Sequence, residues 1–268
     1  GTLGIITAAV LKLFPKPRTS ATALAALADV DAAIALLGLL RQALGDRLTG
    51  FELISGDCIA LTRKQFPALP DPVPGYPWYA LMQGDDPATD SPLAVQIEAT
   101  LGAAVEQHVA GDAAIAQSAA QAAELWALRE HIPEAQRLEG PNIKHDVSLP
   151  VSRIPAFLAD AQLELDAALP GVRYVVFGHL GDGNLHYNLS APAGTPAAAF
   201  LGDAARANRI VYDLVTRLGG SFSAEHGIGQ MKRGELLRYK SAVEVELMQR
   251  IKRALDPDAV LNPGKVVG

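Results

Sequence analysis

Two rounds of a β-α-β-β-α-β pattern predict an α+β sandwich with a mainly antiparallel sheet flanked by helices. Three observations carry this reading. Strand-like and helix-like segments alternate along the chain, several strand connections are short enough for hairpins, and neither a short-period repeat nor a low-complexity segment interrupts them.

The elements follow in order. Residues 3–14 (LGIITAAVLKLF) are rich in β-branched residues and close at Pro15 and Pro17, which predicts a strand, and a second strand is expected near 20–28. Asp29 to Asp46 is expected to be a helix, capped by Asp29 or Asp31 and ending near Gly45. Residues 48–54 (LTGFELI) read as a strand, Ser55 to Phe66 as a short helix, the proline-rich 67–77 as a loop, and 77–84 as a strand. A helix from Ser91 to about Gln107 and a strand near 110–117 follow. Ser118 to His131 is predicted helical, because Ser118 and Gln121 have capping-box spacing and Leu125, Leu128 and Ile132 share a face. Residues 142–149 alternate as a strand, Ile154 to Leu169 as a helix, and 172–178 and 185–190 as strands. One helix is expected from Thr195-Pro196, through Ala204, Ala207, Val211, Leu214 and Leu218, to Gly219-Gly220. A last helix carries Val243, Leu247, Met248, Ile251 and Leu255 and stops at Asp256-Pro257.

Bulk properties narrow the function. The 268 residues suffice for one large domain or two small ones. A net charge of −6 and the lack of a Lys/Arg cluster argue against a nucleic-acid partner. The one cysteine, Cys58, excludes an intrachain disulfide and a cysteine zinc site, and reads as a small buried hydrophobe. No apolar run is long enough to span a membrane, so a cytoplasmic location is expected, and peripheral contact with the inner membrane is compatible with it. The start lacks both signal-peptide features and an initiator Met, and reads as the middle of a folded protein.

The chemistry concentrates in FGHLGDGNLHYNL, residues 177–189. Asp182-Gly183 suits a two-residue type I′ turn, which would set His179 directly opposite His186, with Asn188 on the same face. Two imidazoles so placed converge on one ion; two ordinary sheet histidines are the plain alternative. A divalent ion needs a further ligand, and SFSAEHGIG (221–229) offers Glu225 and His226. Neighbours on a strand point apart, so both serve one ion only if the chain turns at Gly227. A two-His, one-Glu set suits Zn²⁺ and also admits Mn²⁺ or Fe²⁺, and leaves His226 as a base. Arg129 and Lys144 are the candidate cations for an anionic substrate.

These segments resemble the C-terminal half of the FAD-linked oxidases related to D-2-hydroxyglutarate dehydrogenase, D-lactate dehydrogenase and glycolate oxidase. GHLGDGNLH (178–186) and AEHGIG (224–229) are the specific motifs, DPDAVLNPGK (256–265) resembles the usual end of such chains, and GTLGIIT (1–7) the exit from their flavin-binding domain. The resemblance covers essentially the whole chain. It implies residues 1–17 as an exit strand from an FAD-binding domain not present here, and residues 18–268 as the substrate domain, whose fold it implies to be a ferredoxin-like duplication. It implies metal ligands at His179, His186 and Glu225, with Zn²⁺ as the first choice, and a catalytic base at His226. It implies substrate contacts at Arg129, Lys144 and Asn188, and flavin contacts at Gly4, Ile5 and Ile6 in the complete protein. The reaction implied is oxidation of a small 2-hydroxy acid to the 2-keto acid, with hydride passing to FAD; the electron acceptor is not named by it, and a homodimer is compatible. Two departures stand out. The glycine-rich pyrophosphate loops are absent, so this chain by itself is expected neither to hold FAD nor to be active. Some hydroxyglutarate-type members carry a hydroxyl residue one helical turn after the arginine, where this chain has Pro133; Tyr187-Asn188 nonetheless looks like the hydroxyglutarate branch. The competing readings are a non-catalytic metal or small-acid binding module, and a zinc hydrolase, which the absence of an H-E-x-x-H helix disfavours.

Overall fold

The computed structural model describes residues 1–267. They divide into two compact units, one spanning Pro15–Phe222 and the other comprising Gly1–Phe14 with residues 223–267.

The larger unit opens with β1 (Thr19–Leu27), whose last seven residues are buried. Helix α1 (Val30–Leu44) starts where the Asp29 carboxylate accepts from Ala32 N, satisfying an otherwise orphan amide. It buries Val30, Ala33, Leu36, Leu37, Leu40 and Leu44, a stripe of helical spacing, and ends at Gly45 with φ 57°. Then come β2 (Leu48–Ser55), α2 (Gly56–Gln65), β3 (Trp78–Asp86), α3 (Leu93–Glu106) and β4 (Asp112–Ile115). All pairings are antiparallel, and the sheet order β4-β1-β3-β2 is that of one ferredoxin-like unit, with α2 added.

Helices α4 (Ala119–Glu130) and α5 (Ile132–Glu139) lead to the second half. The helix expected over Ser118–His131 is α4; α5 was not expected, and it begins because Pro133 has no amide to give α4 and instead takes the first turn of a new helix. Ser118 accepts from Gln121 N as expected, while the Gln121 side chain accepts from Gln117 N and not from the cap residue. The second half consists of β5 (Asn142–Ile143), β6 (Asp146–Ser148), α6 (Ile154–Ala168), β7 (Arg173–His179), β8 (Asn184–Ser190), α7 (Ala197–Gly202) and α8 (Ala204–Arg217). The expected 142–149 strand is two strands, and the expected 196–218 helix breaks at Asp203, whose amide closes the end of α7 on Phe200 O. β7 pairs with β8, β8 with β6, and Ser148 with Ser221, whose backbone stands in for a fourth strand. The ferredoxin-like order therefore recurs. The halves join where β2 pairs with β7 over Glu52↔His179, Leu53↔Gly178 and Ile54↔Phe177. The α+β, mainly antiparallel duplication is as the sequence predicts.

Groups on α2 and α5 strengthen that seam. Glu139 contacts Lys64 and accepts 2.8 Å bonds from Gln65 and Arg173, linking α5, α2 and β7. The Cys58 thiol, fully buried and donating to Val176 O, is pushed up to about 12 by burial, so it is inert packing as its sequence setting predicts.

In the smaller unit, residues 3–14 are not a strand: they have no ladder partner among the described residues, and a strand exists only by pairing. Two helices follow, α9 (Arg233–Tyr239), which the sequence reading missed, and α10 (Ala242–Leu255), opened by a Ser241/Glu244 capping box. Lys252 on α10 is buried; it contacts Asp256 and donates to Thr2 O and Leu261 O, each at 2.7 Å. No helix among the described residues is long and apolar enough to cross a membrane.

Two predictions follow from this architecture. Gly183 has φ 71°, and a Cβ there would lie 2.0 Å from Leu149 O, so Gly183→Ala should cost at least about 1–3 kcal/mol in urea unfolding. Parental stability in that variant would mean that the chain does not turn left-handed there. Hydrogen bonds from Lys64 and Arg173 hold the Glu139 carboxyl at about 2 against an ordinary 4.5. A depressed carboxyl stabilises the fold fully above its unfolded value and loses that contribution as pH falls through its folded one. Glu139→Gln should therefore lower the urea midpoint at pH 7 and flatten its decline between about pH 4.5 and 2. An unchanged midpoint at pH 7 would count against the clamp.

Candidate metal and substrate site

The β7–β8 hairpin does not close through the two-residue turn that Asp182-Gly183 predicts. Leu180–Asp182 form a 3₁₀ turn, and left-handed Gly183 follows. The wider turn buries Leu180 completely and lets Gly183 O accept from Leu149 N at 2.8 Å. The register consequently pairs Phe177, not His179, with His186. The displacement is two residues, an even number, so no side chain changes face. His179 lies two residues beyond Phe177, on the face of His186, with ring centroids 6.4 Å apart. The expected convergence survives as a diagonal contact.

The neighbouring strands extend this pair into a row. Glu52 on β2 stands directly opposite His179, and its Oε1 contacts His179 Nδ1. Asp146 on β6 stands opposite His186, with Oδ1 3.8 Å from Nδ1. Both carboxylates are buried, at 4% and 2% exposure, whereas the His179 side chain is 38% exposed. Two imidazoles presented from one face, each beside a buried carboxylate, match the donor chemistry of a divalent transition ion.

Arg129 ends α4 above this row. Its Nε donates to Glu52 Oε2 at 2.7 Å, and its guanidinium lies 4.5 Å from the centre of the Phe177 ring. Lys144 is exposed between β5 and β6. The strand breaks there because the His145 amide is taken by the Asn188 side chain at 3.1 Å. Asn188 is itself buried and donates to Gln136 Oε1, also at 3.1 Å. Wholly buried His145 bonds Tyr187 O at 2.8 Å and Asn208 Oδ1 at 3.0 Å.

Glu225 and His226 are exposed on a non-helical loop of the smaller unit. Ser223 Oγ donates to Gly227 O at 2.8 Å, and Gly227 has φ 67°, so the chain does turn where the use of both side chains requires it. No strand precedes them beyond the Ser221 bridge. Ile5 and Ile6 are 79% and 89% exposed and, with Gly4, border a shallow pocket lined also by residues 260–263 of the same unit.

Glu52, Asp146 and His145 escaped the sequence reading. Glu52 had a signal, being the one charge in the strand LTGFELIS. Asp146 and His145 sit in an alternating stretch where nothing local distinguishes them.

Fold and site together describe an α+β domain of the duplicated ferredoxin-like class with a histidine–carboxylate row on one sheet face. The chain belongs to the family of FAD linked oxidases, C-terminal domain, whose model matches residues 16–266. It is 38% identical over 99% of its length to a D-2-hydroxyglutarate dehydrogenase of Xanthomonas citri pv. viticola, covering 55% of that protein. It is 35% identical to the D-2-hydroxyglutarate dehydrogenase of Stutzerimonas stutzeri, with 99% and 56% covered, and 33% identical to the mitochondrial enzyme of Bos taurus, with 100% and 47% covered. The chain thus spans about half the length of the curated relatives it matches. Among solved structures, p-cresol methylhydroxylase with substrate bound shares the fold at TM-score 0.66 and 15% identity, over 94% of this chain and 53% of that one. Alkyldihydroxyacetonephosphate synthase does so at TM-score 0.61 and 13% identity, over 98% and 47%.

Because Asn188 satisfies the His145 amide inside the protein, Asn188→Ala should lower stability by about 1–3 kcal/mol in urea unfolding. A variant of parental stability would mean that the Asn188 side chain does not hold the strand break.

Proposed function

We propose that this chain is the substrate- and metal-binding half of an FAD-dependent D-2-hydroxy acid dehydrogenase of the hydroxyglutarate or lactate class, oxidising the hydroxy acid to the 2-keto acid. The observation that carries the reading is the His179/His186 pair on one sheet face, flanked by buried carboxylates, in a member of the FAD linked oxidase family. The two bacterial relatives named as D-2-hydroxyglutarate dehydrogenases favour that substrate over lactate. In this reading residues 1–17 lead out of a flavin-binding half and residues 18–268 form the substrate domain.

His179, His186 and Glu225 would hold a divalent ion, Zn²⁺ first, which supplies Lewis acidity toward the substrate hydroxyl. FAD, when bound, supplies the hydride acceptor, with exposed Gly4, Ile5 and Ile6 as apolar contacts for its ring. The remaining work falls to the side chains. His226 takes the hydroxyl proton as the α-carbon gives up its hydride and the C–O bond becomes a carbonyl. Arg129, beside the Phe177 ring, offers its terminal nitrogens to the substrate carboxylate in a fork. Lys144, exposed at the strand break, adds a second cation. Asn188 has one amide hydrogen left for a substrate oxygen after its bond to Gln136.

The test uses the full-length flavoprotein containing this chain, with an artificial electron acceptor and a panel of D-2-hydroxy acids. We expect turnover that a chelator abolishes and Zn²⁺ restores. His226→Ala should lower kcat by about 10²–10⁴-fold with flavin content unchanged. Full activity in that variant removes His226 from the base role, and a flavoprotein that oxidises no 2-hydroxy acid removes the reading as a whole.

A further inference from the structure

We propose that Glu52 is a positioning residue that serves the metal site and the substrate-anion site at once, one carboxylate oxygen to each. The inference rests on the metal reading above and adds a residue that reading does not use. Glu52 lies on β2, in the first ferredoxin-like half, whereas His179 lies on β7 in the second, and Arg129 comes from the helices that connect them. Its Oε1 meets His179 Nδ1, and its Oε2 accepts from Arg129 Nε at 2.7 Å.

The chemistry is constrained by what a carboxylate can do. An ionised carboxylate only accepts, so both of its partners must donate. His179 Nδ1 therefore carries a proton, and in the neutral imidazole Nε2 is then the nitrogen with the lone pair an ion would use. A metal-binding histidine with that arrangement has its ring orientation and tautomer set by the acceptor behind it. The same logic applies to Arg129. Glu52 takes the Nε–H, and the Phe177 ring centre lies 4.5 Å from the guanidinium carbon, which leaves the two terminal nitrogens as the edge of the fork turned from Glu52. Among the described residues the side-chain hydrogen bond of Arg129 is made by Nε, not by those terminal nitrogens. With 4% exposure Glu52 has no water to turn to, so its two bonds define its position. Replacing one oxygen with an amide NH₂ leaves one acceptor for two donors, and the two sites must then compete for it.

The experiment uses this chain with Zn²⁺ alone, titrated by calorimetry, and ¹⁵N-histidine NMR, in which His179→Gln assigns the His179 signals. In the metal-free parent, neutral His179 should show the Nδ1–H tautomer. Glu52→Gln should weaken Zn²⁺ binding about 10–100-fold at unchanged circular dichroism, with His179 moving toward the other tautomer, and Glu52→Asp should recover part of the loss. A folded Glu52→Gln with parental Zn²⁺ affinity and parental His179 signals overturns the inference. Should Glu52→Gln fail to fold, the parent spectrum and Glu52→Asp decide: an Nε2–H tautomer in the parent overturns it too. A parent that takes up no Zn²⁺ yet shows the Nδ1–H form removes the metal reading while supporting the grip of Glu52 on His179.

Discussion

The pairing of β2 with β7 is the contact on which the rest of the larger unit depends. It spans three residue pairs, and without it each ferredoxin-like half would end in an exposed edge strand with unpaired amides and carbonyls. Because it is antiparallel and in register at Glu52↔His179, it also sets a carboxylate from one half against an imidazole from the other. So short a ladder needs support. It comes from the Cys58 thiol bonded to Val176 O and from the Glu139 network that ties α2 and α5 to β7.

Burying charge at such a seam is costly unless each charge is matched, and the protein meets that condition by doubling partners. Glu52 has His179 and Arg129; Glu139 has Lys64, Gln65 and Arg173; in the smaller unit Lys252 has Asp256 and two backbone carbonyls. A matched buried charge is rigid, since any rotation leaves a donor or acceptor without a partner and without water. Rigidity of this kind is what a site needs if it must hold an ion and an anionic substrate in fixed relation. Both halves of the duplication contribute: the first supplies Glu52, the second the histidines and Asp146.

The sequence by itself determined the alternation of elements, the Asp29 start and Gly45 end of α1, the inert character of Cys58, and the common face of His179 and His186. These properties are local. Capping depends on three or four residues, and a strand's face follows from its two-residue period, which is why the shared face survived a turn two residues wider than expected. The structure decided the turn itself, the breaks at Lys144 and Asp203, the second helix that Pro133 begins, and the pairing of β2 with β7. The turn, the break at Lys144 and the β2–β7 pairing are settled by partners distant in sequence: Leu149 for Gly183, Asn188 for the His145 amide, His179 for Glu52. Periodicity says which way a side chain points but not what it meets there, because the neighbour across a sheet is chosen by packing of the whole chain.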